Sequence, residues 1–169
     1  NEEVMKKIIV MESKDIEYTT IRKSELNEDQ LKEIEDLIVH IDEKYKNLIM
    51  YDNIRKLSEA MLEVSRYKPD VVVDDYIQLV QVEDIDERRS LIESIMHEYK
   101  WICKKENCSA ILVSQLNREI EKRIDPKPRL SDFAESGVIE QTAETAIMPF
   151  YGWNFDSESY NRYEMEVIV

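Results

Sequence analysis

The sequence predicts an α/β fold, a mostly parallel sheet flanked by helices and incomplete at both ends, and three observations support this. The runs at 71–80 (VVVDDYIQLV) and 111–140 (ILVSQLNREIEKRIDPKPRLSDFAESGVIE) each open on β-branched apolar residues and end abruptly in acidic, amide or basic ones. Buried parallel strands look like this when they deliver functional groups to the carboxyl edge of a sheet, where ligands bind in open α/β folds. Residues 86–105, lying between the runs, have helix length and helix spacing, so strand, helix and strand make a parallel crossover. Finally, the chain starts at Asn1 inside a helical pattern and stops at Val169 within the strand-like YEMEVIV. A core strand interrupted there would leave unpaired backbone, so residues 1–169 are expected to form a single partial domain.

Each element has its own warrant. Val4, Ile8 and Met11 mark a short amphipathic helix, and Leu31, Ile34, Ile38, Ile41 and Tyr45 a longer one. Asn27 is a suitable N-cap for the second, with Gln30 three residues on completing a capping box. Residues 47–51 read as a brief strand. Ile54, Leu57, Met61 and Val64 form the next helical stripe, closed by Lys68-Pro69 because the residue before a proline avoids helical geometry. Val71 to Val73 are too few and too β-branched for a helix. In the 86–105 helix, Leu91, Ile92, Ile95, Met96, Tyr99, Ile102 and Cys103 share one face. Acidic residues at its start and Lys104 and Lys105 at its end suit the helix dipole. A strand at 110–113 follows, Pro126 and Pro128 keep the next stretch non-helical, and 146–151 and 163–169 read as late strands.

Composition bounds the partners. The 169 residues are enough for one domain with a core, 36% are charged, and the net charge is −14. A chain this acidic is no general polyanion binder, so any nucleic-acid contact must be local. Two cysteines without a histidine cluster suit a reduced, cytoplasmic compartment rather than a disulfide or metal site. No apolar run approaches the ~20 residues a membrane span needs.

The chemistry begins at Asp75. A carboxylate ending an apolar strand is where phosphate-loop enzymes hold the magnesium of a bound nucleotide, usually through water. The pattern alone equally fits a solvated strand cap. Strand alternation turns Asp74 to the other side of the pleat if Asp75 faces the site. Gln115 ends the next strand, beside Ser114, where its amide protons can meet a γ-phosphate oxygen; a polar strand end bonding a nearby loop would look the same. Between 115 and 130, Arg118, Lys122, Arg123, Lys127 and Arg129 outnumber Glu119, Glu121 and Asp125. That local reversal of sign suits a phosphate-facing loop, though a solvated surface loop also produces it.

Taken in order, DDYIQLV and then SQLNREIEKRIDPKPRLSDFAESGVIEQTAE resemble the motor domain of DnaB-type replicative DNA helicases, bacterial or phage. The resemblance spans essentially the whole chain and is strongest from 69 to 150. It implies a RecA-like fold, hexameric rings, hydrolysis of ATP with Mg2+ at subunit interfaces, and single-stranded DNA drawn through a central channel. Primase and a helicase loader are implied as partners. Carried over, Asp75 matches the magnesium-associated carboxylate and Gln115 the catalytic glutamine that senses the γ-phosphate. Glu135 and Gly137 match the channel loop that touches the DNA backbone, and Arg129 lies in the basic stretch leading to it. Glycine suits that place because it lets backbone N–H groups approach a phosphate, although a turn glycine is the plainer account.

The sequence also departs from that family. Ala134 stands where arginine is usual, Thr142 and Glu144 where two aspartates are usual, and Asp74 where the family has an apolar residue. With glycine only at 137 and 152, no G-x-x-x-x-G-K-[ST] phosphate loop is possible within the chain. That loop and the catalytic glutamate are expected before Asn1, an arginine finger beyond Val169, and the isolated chain is expected to be inactive. A non-catalytic RecA-like binding or regulatory module is the alternative. A recombinase would share the Asp75 strand but not the ESG-x-IEQ run.

Overall fold

Three helices make up the first third of the chain. In this computed structural model, residues 2–133 and 136–169 are described, and contacts divide the chain into two units, 1–53 and 54–169. In the first unit, α1 (Glu2–Glu12), α2 (Tyr18–Lys23) and α3 (Glu28–Lys44) gather around Ile8, Ile16 and Ile41. The start of α3 is fixed by the expected box. The Asn27 side chain accepts from the Gln30 N–H at 2.9 Å, and the Gln30 side chain accepts from the Asn27 N–H at 3.1 Å. Glu12 ties α1 to the end of α3, accepting from Lys44 Nζ at 2.6 Å and from the Tyr45 hydroxyl at 2.8 Å.

One expectation fails in this unit. The α3 helix forms as expected, its stripe unevenly covered: Ile41 is buried, Ile34 and Tyr45 are half-buried, and Leu31 and Ile38 are about half exposed, at 48% and 50%. Residues 47–51 form no strand. A strand requires a neighbour to complete its ladder; here the Leu48 N–H instead closes a turn onto the Tyr45 carbonyl at 2.8 Å, leaving Leu48 and Ile49 exposed.

In the second unit, α4 (Leu57–Tyr67) ends at Lys68, whose φ of 48° lies in the left-handed region, and Pro69 prevents continuation. β1 (Val71–Asp74) and β2 (Ser109–Leu112) pair in parallel, Val71 with Ser109 through Asp74 with Leu112, joined by α5 (Arg88–Glu106). The Glu87 side chain caps α5 by accepting from the Arg89 and Ser90 N–H groups. Ile92, Ile95, Met96, Tyr99 and Ile102 of its predicted face are buried, packing with Ile77, Leu57 and Val64. α6 (Ser136–Thr142) closes this core through Val138 and Ile139.

The strands differ from expectation in one respect. Val72, Ala110 and Leu112 pack on the core, but Val71, Val73 and Ile111 on the opposite face are exposed, at 50%, 61% and 57%. The predicted doubly covered central strands are covered on one face, because among the described residues the parallel sheet has two strands and helices pack against only one side. The late strands are shorter than predicted: β3 (Met148–Phe150) pairs antiparallel with β4 (Glu166–Ile168). Beside them Phe150 stacks on Phe155 and meets Tyr160 edge-on, with centroids 5.5 and 5.7 Å apart. Gly152 is required here, since a Cβ would sit 2.2 Å from the Tyr160 ring.

Candidate functional site at the carboxyl edge of the parallel sheet

The ladder runs past the ends of β1 and β2. The Val113 N–H donates to the Asp74 carbonyl at 2.9 Å, and the Ile77 N–H to the Val113 carbonyl at 3.0 Å. Asp75 follows β1 directly, with the parity of Val71 and Val73, and Gln115 lies three residues past β2, with the parity of Ile111 and Val113. Both side chains are exposed, just past the carboxyl ends of two neighbouring parallel strands. Asp74 turns the other way, as its parity requires, and accepts a hydrogen bond from the Tyr99 hydroxyl at 2.7 Å. Burial first, and then the Asp74 carboxylate, push the Tyr99 hydroxyl far above its ordinary range, so it stays a protonated donor.

Sequence reasoning passed over Gln78 because it sits inside an apolar run. Its Nε2 donates to Ser114 Oγ at 2.8 Å, and its Oε1 accepts from the Gln115 N–H at 3.4 Å. A half-buried amide within DDYIQLV was the available signal. Tyr99 was read as core alone; its partner, Asp74, lies 25 residues away.

The basic loop is a closed structure whose charge is largely internal. Asp132, 9% exposed, accepts from Arg123 through both oxygens, at 3.1 and 2.7 Å, and from the Arg129 N–H at 2.7 Å. The Arg123 guanidinium also donates to the Lys127 carbonyl at 2.8 Å. Asn117 N–H donates to the Asp132 carbonyl at 2.6 Å, and Leu116 bridges to Phe133, closing the loop at its base. Lys122 pairs with Glu119, Lys127 with Glu166 and the exposed Arg129 with Asp125, at 2.6, 2.7 and 3.4 Å. The excess of cations seen in the sequence is therefore mostly neutralised in place. Arg118 alone of the five meets no acid among the described residues.

Glu135 lies outside the described residues. Gly137 is the second residue of α6, with no positive φ, and a Cβ there would meet nothing within 4 Å. The chain's own packing gives no reason for a glycine at that point. Cys103 and Cys108 are free thiols; burial and then the neighbouring Cys108 raise the Cys103 thiol to about 11. Among the described residues no three His, Cys, Asp or Glu side chains are grouped to hold a metal. A magnesium ion carried by a nucleotide needs no such cage, since water and phosphate oxygens fill most of its octahedron and one carboxylate suffices. Asp75 fits that demand.

A parallel crossover with one carboxylate and one amide just past its strand ends is an α/β arrangement of the kind that binds ligands at the carboxyl edge of its sheet. The chain belongs to the DnaB-like helicase C-terminal domain family, whose sequence model matches residues 1–169. The Bacillus subtilis protein "Replicative DNA helicase DnaC" is 32% identical over 120 residues, covering 68% of this chain and 26% of that protein. A solved ATPase domain superposes with a TM-score of 0.84 over 99% of this chain and 62% of its own, at 24% identity, and shows the fold. A solved "DnaB-Like Replicative Helicase", described with its interactions with primase, gives a TM-score of 0.75 at 25% identity, covering 91% of this chain and 39% of that one. The chain thus spans about a quarter of the length of the curated relatives it matches. No helix among the described residues is long and apolar enough to cross a membrane.

Proposed function

We propose that this chain is one portion of the motor of an ATP-dependent replicative DNA helicase, and that it contributes the Asp75–Gln115 edge of a nucleotide site. The observation that carries this reading is the exposure of both side chains at one end of two adjacent parallel strands. Asp75 would accept from water on the nucleotide's Mg2+ and so fix the ion. Gln115 would donate its amide protons to a γ-phosphate oxygen, which makes its contact conditional on that phosphate. ATP with Mg2+ supplies the phosphoryl group whose hydrolysis drives movement. The residues present give one side of the site, and a phosphate loop must come from sequence outside these 169 residues.

Single-stranded DNA would meet the segment of Glu135 and Gly137, where the open space at Gly137, near the start of α6, admits close approach of a phosphate. Arg129 is bound to Asp125 only by an exposed pair, which contributes little and releases easily. A homo-hexamer in the cytoplasm, with primase and a loader as partners, completes the reading. One observation favours a non-catalytic RecA-like module instead: with glycine at only two positions, the chain has no phosphate loop of its own.

The test joins this chain to a segment carrying a phosphate loop and measures ATP hydrolysis. The joined protein should turn over ATP, Asp75→Asn should lower the rate roughly 100-fold, and the chain alone should show none. An Asp75→Asn variant as active as the parent, or turnover by the 169-residue chain, defeats the proposal. Absence of turnover in the joined protein favours the non-catalytic module.

A further inference from the structure

From the segment that follows Asp75, the Gln78 side chain bonds both Ser114 and Gln115, the residues just past the second strand. It sits in a short 3-10 turn at Ile77–Leu79 and is half-buried, and the turn itself is held by the Ile77 N–H on the Val113 carbonyl. From there its amide donates to Ser114 Oγ at 2.8 Å and accepts from the Gln115 N–H at 3.4 Å. An amide used at both ends cannot rotate freely without losing one bond, so it fixes where residue 115 leaves the strand.

We infer that Gln78 is a positioning residue: it holds the Gln115 backbone so that the Gln115 side chain points to a terminal phosphate bound at the Asp75 edge. Loss of this bridge leaves Asp75 and the fold in place but frees Gln115 to swing. The consequence is specific. Triphosphate and diphosphate share every contact except those to the terminal phosphate, so the preference for one over the other falls while binding of the diphosphate stays. This inference rests on the proposed nucleotide site and adds to it a residue acting through Gln115.

The experiment uses the joined protein of the preceding section and compares the affinities of a non-hydrolysable ATP analogue and ADP. Gln78→Met keeps the length of the side chain without its bonds, and should lower the ratio of the two affinities roughly tenfold, with ADP affinity unchanged within about twofold. Gln78→Glu keeps the acceptor for the Gln115 N–H and lets Ser114 donate instead, and should restore the ratio to within about threefold of the parent. A structural role would lower the fraction of protein that binds, not the ratio. In the 169-residue chain, amide exchange at Gln115 should rise on Gln78→Met, which reads the bridge without any nucleotide. A Gln78→Met protein that keeps the parent's ratio overturns the inference and leaves the site standing. A parent that binds neither nucleotide overturns both. Should the variant fail to fold, Ser114→Ala removes only one of the two bonds, and an unchanged ratio together with unchanged Gln115 exchange in that variant counts against the bridge.

Discussion

Replacing Asp132 with alanine should open the 117–133 loop without unfolding the domain around it. The Asp132 side chain is 12% exposed and takes both Nη groups of Arg123 and the Arg129 N–H, while the Arg123 side chain is 28% exposed. Breaking a fully buried ion pair costs about 3–5 kcal/mol, and exposed pairs contribute about 0–1 kcal/mol. With one partner buried and the other part-exposed, the expected cost is about 2–3 kcal/mol. Two features favour the upper end. Arg123 Nε is already buried without a partner among the described residues, and truncation would take the acceptor from Nη1 and leave Nη2 with the Lys127 carbonyl alone. The assay is amide hydrogen exchange, in which 117–133 should exchange roughly 30- to 160-fold faster while α5 keeps its protection. An Arg123→Met partner makes the test a cycle: the double variant should lose less than the sum of the singles by at least about 1 kcal/mol. Loop exchange unchanged within about twofold in Asp132→Ala would refute the reasoning.

Tyr99→Phe should cost about 1–2 kcal/mol in urea unfolding, because it leaves the half-buried Asp74 carboxylate without its donor. The Tyr99 hydroxyl is raised from an ordinary value of 10.0, so its stabilisation is complete below that pH and is lost as pH rises above it. Alkaline unfolding should therefore be shallower above about pH 10 in the variant than in the parent, and identical slopes would remove the assigned bond. Gly137→Ala should stabilise α6 by about 0.5 kcal/mol, since no atom lies within 4 Å of the new methyl, yet weaken single-stranded DNA binding by the assembled motor. A melt and a binding titration on the same variant check both signs; loss of stability would show that glycine serves the fold.

What the sequence disclosed and what it hid divide along a physical line. Elements specified by neighbours in the chain were legible: the Asn27–Gln30 box, the Lys68-Pro69 stop, the buried face of α5, and the strand leading to Asp75. The features that depended on distant partners were not. Residues 47–51 have strand chemistry but form no ladder, and only a neighbouring strand decides that. The loop's five cations looked available, yet Arg123 is claimed by a residue nine positions on and Lys127 by one 39 positions on. That Asp75 and Gln115 come just after two strands that pair in parallel was foreseeable, because the two β-branched runs with a helix between them mark a crossover. Gln78 was not, since nothing local says that an amide in an apolar run reaches the next strand.

The uncovered flank of the parallel pair has a practical outcome. Val71, Val73 and Ile111 are exposed on one face of a pair that, among the described residues, has no third strand on either edge, a surface that invites another molecule to lie against it. In concentrated solution the chain should therefore self-associate in a manner that salt does not reverse, since screening acts on charges and not on aliphatic contact. Aggregates of that kind would have no fixed number of subunits and would dissolve when Val73 is changed to threonine or lysine.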